Sequence, residues 1–474
     1  MTETDSPALQ WGGRFAAPPD AALLAFGSSL EEDLVLAPFD VRCSLAHVRA
    51  LVDGKIVTRE TGAALTTALT AVEREIAAGS FAAYARASAA EDVHGAIDAR
   101  VRELCPDGAG ESLHAGRSRN DQVATTLVLY ARDRATAGAD RCARIASATI
   151  ARARAALAAQ TVMAATTHWQ PAQPVLLAFW LAAVAENFTR AAHRFARVAA
   201  DATASCPLGS GACSGSTLPL ARGSAATFLG FAEPSRNALD SVGDRDLALD
   251  LLHAVTRALI AASRVSEECI IYCTPAFGFA RLADSASTGS SLMPQKRNPD
   301  PLELVRAHAS SAIGALAGAL GSVAGRALSY HRDLQETKAV VITQCERGIA
   351  ALDAFERAWA ALQFDAAAMA ARADDGFVVA TDIADALIVR GVSARRAHQL
   401  VGAAVATAER ERRRLNAGDL ARLANAAGFD RLDAPLDARA SVAAKRTDGS
   451  TSPAAVARAL DELERFLTSE GAGS

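Results

Sequence analysis

The sequence predicts an all-α protein of three domains, with a central bundle of long helices. Half of the 474 residues are hydrophobic but only 5% are aromatic. The apolar mass is therefore mainly alanine, leucine and valine, which favours helices over sheets. Several stretches of ~30 to 40 residues keep a helical pattern, far above the globular mean of about 11–12 residues. Helices of this length usually belong to extended bundles or to helical oligomer cores.

The long helical patterns follow one another in the middle of the chain. The first covers about 121–160, without a proline, and others cover about 240–272, 299–326 and, more weakly, 334–362. The second pattern begins after Pro171 and Pro174. Its apolar residues recur in alternating steps of four and three, with Ala191 filling the gap, at Leu177, Leu181, Val184, Phe188, Phe195 and Val198. Such a heptad is the seam of nearly parallel helices, and its alanines indicate a bundle shared between subunits.

Shorter helices and more frequent turns flank this bundle on both sides. The sequence therefore predicts an N-terminal helical domain at 1–112, the long-helix bundle at 113–363 and a C-terminal helical domain at 364–474.

Composition also excludes several classes of function. A net charge of −4, from 49 basic and 53 acidic residues, gives no polyanion-binding signal, so we expect no nucleic-acid partner. The polar start lacks the features of a signal peptide, and no apolar run is long enough to cross a bilayer. The eight cysteines lack zinc-site spacing and are interpreted as reduced thiols. We expect a cytoplasmic protein without a membrane partner, a metal or another cofactor.

The first polar segment is His114-Ala-Gly-Arg-Ser-Arg-Asn-Asp-Gln122, which leads into the first long helix. Asn120 or Asp121 can cap that helix, and Ser118 with Asp121 resembles a capping box. Arg117 and Arg119 beside a helix N-terminus favour a site for a carboxylate or phosphate. The alternative is a capped helix start with solvated arginines.

The second polar segment, at 163–174, lies between two long helices. It gathers Thr167, His168, Gln170 and Gln173, all of which can form hydrogen bonds. A histidine here can carry protons near neutral pH. The alternative is a structural histidine bonded to the backbone.

The third polar segment, at 285–300, carries the most specific signal. Its small residues at 285–291 predict a mobile loop, followed by a helix with Asn298 as N-cap and Pro299 at the first position. Lys296 and Asn298 would then lie at a positive helix end that stabilises negative charge. A flexible serine-rich lid beside such a site is consistent with gating of a reaction.

Within this segment, Gly289-Ser-Ser-Leu-Met-Pro-Gln-Lys-Arg-Asn-Pro299 closely resembles the signature of the fumarase/aspartase superfamily. Several other segments resemble the argininosuccinate lyase family in the expected order: Trp11-Gly-Gly-Arg-Phe15, Glu91-Asp-Val-His94, the first polar segment, Pro207-Leu-Gly-Ser-Gly-Ala212, Asn237-Ala-Leu-Asp-Ser-Val242, Tyr330-His-Arg-Asp-Leu-Gln335 and Ala380-Thr-Asp-Ile-Ala-Asp385.

This resemblance implies an anti elimination that releases fumarate and arginine from a small-molecule substrate, argininosuccinate. It implies that Ser290 is the base, and that His168, partnered by Glu303, is the acid or the relay to it. Lys296 and Asn298 would bind the carboxylate that takes up charge. Other substrate contacts implied by the family are Thr167, Gln170, Arg119 and Asn120, and, for the arginine half, Ser29, Tyr330, Gln335 and Lys338, with Asp92 and His94 nearby. The resemblance also implies a homotetramer whose active sites are each shared by three subunits.

One departure from the family keeps the substrate open. The family usually has Met-Pro-Gly-Tyr before Thr-His-Leu-Gln, whereas this chain has Met163-Ala-Ala-Thr166 before Thr167-His-Trp-Gln170. The leading hypothesis is argininosuccinate cleavage, the last step of arginine biosynthesis. The alternatives are a lyase for another N-substituted aspartate and, less favoured, a structural protein similar to the lens crystallins related to this family.

Overall fold

The computed structural model describes residues 20–88, 90–374 and 377–470. The chain is mostly helical, as predicted. The Trp11–Phe15 motif lies outside these residues. Among the described residues, eight short strands pair into four two-stranded sheets. No helix in these ranges is both long and apolar enough to span a membrane.

Six helices come first in the described part of the chain. They are α1 (Ala21–Gly27), α2 (Leu30–Asp33), α3 (Ala37–Asp53), α4 (Arg59–Ala77), α5 (Phe81–Ala87) and α6 (Val93–Leu104), and a 3₁₀ segment follows at Pro106–His114.

The long helices confirm the predicted patterns with two changes. The middle of the chain comprises α7 (Arg119–Ala158), β1 (Val162–Thr167), β2 (Gln170–Leu176), α8 (Leu177–Asp201), β3 (Ser205–Cys206), α9 (Arg222–Leu229), β4 (Glu233–Pro234), α10 (Ala238–Gly243), α11 (Asp246–Tyr272), β5 (Ala280–Leu282), β6 (Thr288–Gly289), β7 (Arg297–Asn298), α12 (Asp300–Val323) and α13 (Leu334–Ala361). The pattern expected at 240–272 is broken between α10 and α11. The segment at 163–174, expected as a loop, is instead the β1–β2 hairpin.

A group of short helices completes the chain. It consists of β8 (Leu362–Phe364), α14 (Ala366–Ala373), α15 (Ala380–Val389), α16 (Ala394–Arg410), α17 (Ala417–Ala427), α18 (Ala438–Ala444) and α19 (Pro453–Glu470). The heptad residues predicted on α8 are all buried; Phe188 and Phe195, for example, have no exposed surface. The heptad therefore marks a packed seam, as its spacing predicted.

The chain divides into two compact units. The first comprises 1–138, 194–256 and 310–349, and the second comprises 139–193, 257–309 and 350–474. The boundaries fall inside five long helices: α7, α8, α11, α12 and α13. The three-domain division at 112 and 363 stays a prediction.

In the first unit, α3 packs against α4 and α9. Its core includes Cys43, Leu129, Leu208, Leu229 and Phe231.

In the second unit, aromatic rings form much of the core. Phe188 stacks on Phe355 at 5.2 Å between centroids, and Trp180 lies 5.9 Å from Trp359. The β1–β2 hairpin packs against α14 and α18. Helices α15, α16 and α17 enclose a separate apolar cluster that includes Ile383 and Leu423.

Candidate active site

A buried polar cluster of Ser29, Asp33 and Lys338 lies in the first unit. Ser29 directly precedes α2, and Lys338 is on the second turn of α13. The Lys338 Nζ lies 2.6 and 2.7 Å from the two Asp33 carboxylate oxygens and donates to Ser29 Oγ at 3.3 Å. The Ser29 hydroxyl donates to Asp33 at 2.7 Å. All three side chains are buried, so a strong ion pair orders Lys338 and Ser29 before any ligand arrives.

Two further predicted residues, Tyr330 and Gln335, come from the same stretch of chain as Lys338. The Gln335 Nε2 donates to the carbonyl of Gly27 at 3.2 Å, and Arg332 donates to the same carbonyl at 2.6 Å. Burial raises the pKa of Tyr330, and the positive charges of Arg245 and Arg332 oppose that rise. These contacts place Gln335 close to the backbone just before Ser29.

The predicted Arg119 is paired with the predicted Asp92. The Nε atom of Arg119 lies 3.2 Å from Asp92 Oδ2, and its Nη1 donates to Gln122 at 2.8 Å. Asp92 also caps α6 by accepting from the N–H of Gly95 at 2.7 Å. Burial acts to raise the pKa of Asp92. The charge of Arg119, together with interactions with His94, Gly95 and Lys338, outweighs burial and lowers that pKa.

The predicted His94 is fully buried against Asp40. Its Nδ1 lies 2.8 Å from Asp40 Oδ1, which also accepts from Gln122 Nε2 at 2.8 Å. Burial acts to raise the Asp40 pKa, but His94, Arg117 and Gln122 together lower it to about 2. Because Gln122 also accepts from Arg119, this network joins His94 to the start of α7.

The helix start at Arg119 shows one of the two bonds of the predicted capping box. Asp121 accepts from the N–H of Ser118 at 3.0 Å, whereas the Ser118 hydroxyl accepts from Asn120. The second Asp121 oxygen accepts from the N–H groups of Gly209 and Gly211, both at 2.9 Å. Burial raises the pKa of Asp121 to about 6. The Pro207–Ala212 motif is thus tied to the first polar segment.

The alternative of solvated arginines in this segment is wrong for Arg117. Its side chain is buried and donates to Ser44 Oγ at 2.9 Å. The predicted Asn120 donates from Nδ2 to the carbonyl of Ala212 at 3.0 Å.

Thr167, His168 and Gln170 of the second polar segment lie at the tip of the β1–β2 hairpin. Thr167 pairs with Gln170, so His168 and Trp169 form a two-residue turn. Both turn residues have positive φ, 54° and 58°, as a type I′ turn requires. The four residues are exposed, and within the described ranges the His168 side chain makes no hydrogen bond. The alternative of a structural histidine bonded to backbone is therefore wrong for this chain.

The third polar segment forms a second hairpin, in place of an unanchored loop at 285–291. Strand β6 pairs with β7, and the Thr288 hydroxyl bonds the Asp300 carboxylate. Arg297 pairs with Asp284 at 2.6 Å. Helix α12 begins at Asp300, one residue later than predicted, and the Pro299 carbonyl accepts from its first turn.

Ser290 lies at the start of the exposed tip of this second hairpin. Its Oγ accepts from the backbone N–H groups of Leu292 at 3.2 Å and Met293 at 3.0 Å. Lys296 and Glu303 are exposed, and Asn298 is half-buried. In the described part of the chain, the side chains of Lys296, Asn298 and Glu303 form no hydrogen bond or ion pair, so His168 and Glu303 are not in contact.

The predicted residues therefore fall into two groups. Eight of them lie in the first unit: Ser29, Asp92, His94, Arg119, Asn120, Tyr330, Gln335 and Lys338. The others lie in the second unit: Thr167, His168, Gln170, Ser290, Lys296, Asn298 and Glu303. The sequence interpretation missed Asp33 and Asp40. Asp33 lies one helical turn after Ser29, a spacing that could have indicated it. No local pattern marks Asp40.

Comparison with known proteins agrees with this architecture. The family model described as Lyase matches residues 13–314. An EDDS lyase solved in complex with formate superposes with a TM-score of 0.79 and 25% identity, covering 95% of this chain and 89% of that one. A fumarate lyase from Mesorhizobium sp. BNC1 has the same fold, with a TM-score of 0.69 and 18% identity over 96% of this chain and 99% of that one. The fold and motifs are those of a helical lyase.

Relatives of higher sequence identity show which family of lyases the chain belongs to. A second family model, described as Argininosuccinate lyase C-terminal, matches residues 377–443. The argininosuccinate lyase of Deinococcus deserti is 39% identical over 98% of this chain and 100% of its own length. That of Anaeromyxobacter sp. (strain K) is 42% identical over 95% and 96%. The chain belongs to the argininosuccinate lyase family.

Proposed function

We propose that this protein cleaves argininosuccinate to fumarate and L-arginine, the last step of arginine biosynthesis, in the cytoplasm. The observation that carries the proposal is identity of about 40% to argininosuccinate lyases over nearly the whole chain. The two groups of polar residues support it, because the substrate has a succinyl half, where the elimination occurs, and an arginine half, which must be held while its nitrogen departs. The predicted domains at 1–112, 113–363 and 364–474 are part of the same proposal.

Ser290 is the proposed base. It takes the proton from the succinyl carbon next to a carboxylate, and the electron pair spreads into that carboxylate as an aci-acid. A serine hydroxyl is a poor base at neutral pH and needs its alkoxide stabilised. The N–H groups of Leu292 and Met293 already point at Ser290 Oγ and favour the negative form. Lys296, six residues along the same hairpin, adds a positive charge.

The remaining residues of the second unit bind the succinyl half. Collapse of the aci-acid breaks the carbon–nitrogen bond, and His168 protonates the departing nitrogen or relays the proton. Its proposed partner Glu303 would have to come from another subunit, because the two side chains do not meet within the described chain. Lys296 and Asn298 bind the charged carboxylate. Because these side chains have no partners within the described chain, they are free to bind substrate and groups of other subunits. Thr167 and Gln170 contribute from the first hairpin tip.

The first unit binds the arginine half. Ser29, Tyr330, Gln335 and Lys338 contact its amino-acid end. Arg119 and Asn120 bind carboxylates, while Asp92 and His94 fix the position of Arg119. The ion pair with Asp33 supports this arrangement, since it holds Lys338 beside Ser29.

The proposed assembly is a homotetramer in which three subunits complete each active site. Helix α12 supports it, because residues 309–325 include no charged side chain. The same helix exposes Ile313 and Leu320 by 51% and 50%. An apolar helix face of this kind is typical of a protein–protein interface. Analytical ultracentrifugation of the wild type should give a tetramer, and Ile313→Glu combined with Leu320→Glu should give smaller species.

The proposed reaction is tested with the purified protein and argininosuccinate, following fumarate by its ultraviolet absorbance and arginine by amino-acid analysis. The proposal predicts equal amounts of both products. Absence of fumarate from a folded wild-type tetramer would overturn it.

A second candidate is cleavage of a different N-substituted aspartate. The observation that favours it is the β1–β2 hairpin, in which Ala164, Ala165 and Thr166 replace the usual residues and Trp169 occupies the tip. If a panel of N-substituted aspartates is cleaved while argininosuccinate is not, this candidate replaces the first.

A further inference from the structure

Arg245 lies in the break between α10 and α11 and is buried, and it forms no ion pair with any of the residues that the structure describes. Its side chain is only 3% exposed. Its Nη1 donates to the carbonyl of Asp244 at 2.6 Å and of Val242 at 3.4 Å. The Asp244 carboxylate does not pair with it but accepts from the N–H of Asp246. In the described ranges, Nε and Nη2 of Arg245 have no hydrogen-bond partner.

A buried guanidinium without a carboxylate is costly. Burial lowers the pKa of Arg245, yet an arginine remains charged at any physiological pH. Leaving a buried charge without its partner typically destabilises a protein strongly. Two donor nitrogens without a partner therefore call for a functional explanation.

The group that faces this charge is the ring of Tyr330. The Arg245 Cζ lies 6.0 Å from the Tyr330 ring centroid, at the limit of a cation–π contact. The two segments pack closely at Gly243, where a Cβ atom would overlap the carbonyl of Ser329. Ser329 itself has φ of 78°, a conformation that a side chain rarely adopts. The segment between α10 and α11 thus packs against Ser329, the residue directly before Tyr330.

We propose that Arg245 is a positioning residue for Tyr330: its unneutralised guanidinium fixes the ring and keeps the phenol in a positive environment, ready to donate to a carboxylate of the substrate. The inference rests on the proposed function, which places Tyr330 at the arginine half of the substrate. Since the unpaired N–H groups of Arg245 are inaccessible, it acts through Tyr330 and not by touching the substrate.

The charges that face Tyr330 set the sign of its titration. Arg245 and Arg332 lower its pKa, whereas Asp92 and Asp33 raise it. Removing the Arg245 charge should therefore raise the pKa of Tyr330 further. Loss of packing alone would expose the phenol and lower that pKa, because burial is the main cause of its rise.

The kinetic test is a double-mutant cycle on the full-length protein. Arg245→Gln should lower kcat/KM about tenfold, mainly through KM, and Arg245→Lys, which keeps the charge, should lower it less. In a Tyr330→Phe background, Arg245→Gln should have almost no further effect, because the group it positions has lost its hydroxyl. The matched control is Arg236→Gln, an exposed arginine nine residues earlier, which should behave as wild type.

The spectroscopic test follows phenolate absorbance on raising pH, with each protein compared with its Tyr330→Phe counterpart to isolate Tyr330. The midpoint should be higher in Arg245→Gln than in wild type and nearly unchanged in Arg245→Lys. The inference is overturned if Arg245→Gln lowers kcat/KM as much in the Tyr330→Phe background as in wild type. It is also overturned if the Tyr330 titration midpoint in Arg245→Gln equals that of wild type. If Arg245→Gln fails to fold, a Tyr330 midpoint in Arg245→Lys far from wild type overturns it.

The two proposals fail separately. If the wild type releases no fumarate from argininosuccinate, the proposed function fails. The midpoint of Tyr330 in the Arg245 variants still decides whether Arg245 acts on the phenol.

Discussion

The two groups of candidate residues differ in how their polar side chains are held. In the first unit, Lys338 and His94 are buried and paired with the carboxylates of Asp33 and Asp40. In the second unit, His168 and Lys296 lie at exposed hairpin tips without side-chain partners in the described chain. The first group is therefore ordered by contacts within the chain, whereas in the proposed assembly the second group would be completed by substrate and neighbouring subunits. The proposed binding and the proposed chemistry thus fall to two groups that are held differently.

The largest expected effect is on the chemical step in the second unit. Ser290→Ala should lower kcat by about 10²–10⁴-fold, because the proposed base is lost. The proposed tetramer should remain intact, since within the described ranges the Ser290 hydroxyl bonds to backbone N–H groups of its own hairpin. Steady-state kinetics and ultracentrifugation measure both. Ser285→Ala, an exposed serine of the same segment, is the control, and equal losses in the two variants would contradict the assignment.

The next effect concerns the buried polar cluster of the first unit. Asp33→Ala should lower the free energy of unfolding by about 3–5 kcal/mol, because Lys338 is left buried and unpaired. Urea denaturation measures this change. Replacing both partners, with Asp33→Leu and Lys338→Met, should recover much of it.

An exposed pair provides the control for this cluster. Glu31 accepts from Arg86 at the surface, where solvent screens the charges. Glu31→Ala should therefore leave the urea midpoint unchanged. If Asp33→Ala also leaves the urea midpoint unchanged, the ion pair between Asp33 and Lys338 does not stabilise the folded protein.

A smaller effect should depend on pH. The Asp40 pKa is lowered in the folded protein, so its ionised form adds stability above the ordinary value of 3.8. That contribution is lost as the pH falls towards about 2. Asp40→Asn should therefore be less stable than wild type by about 2 kcal/mol near neutral pH. The gap should narrow on acidification in urea titrations, and a gap that widens would contradict the sign.

The smallest effect is at the first hairpin tip. Trp169 has positive φ, which costs a side chain about 1 kcal/mol or more. Trp169→Gly should raise the thermal midpoint slightly, whereas Trp169→Leu keeps the strain and should not. A lower midpoint for the glycine variant would show that the indole ring contributes more than the strained turn costs.

The sequence predicted the long helices well, because periodicity and capping are local signals. The heptad from Leu177 to Val198 and the start of α12 near Pro299 are examples. The hairpin at 162–176 was not predicted, since its prolines and exposed tip read as a loop. The two strands pair with each other, and their packing on α14 and α18 depends on residues about 200 and about 270 positions away, respectively.

The same limit applies to the candidate site. Ser290 and Lys338 could be identified from motifs, whereas Asp33, Asp40 and Arg245 act through contacts made only in the folded chain. Arg245, for instance, faces a tyrosine 85 positions later. Burial and unpaired atoms, which a sequence does not display, identified it.

In the proposed assembly, residues from different subunits complete each active site. This is tested by coexpressing two variants expected to be inactive, Ser290→Ala and Lys338→Met, and assaying purified mixed tetramers for fumarate release. Mixed tetramers should regain activity that neither variant has alone, because some sites receive both intact residues. Mixed tetramers that form and remain as inactive as the parents would contradict it.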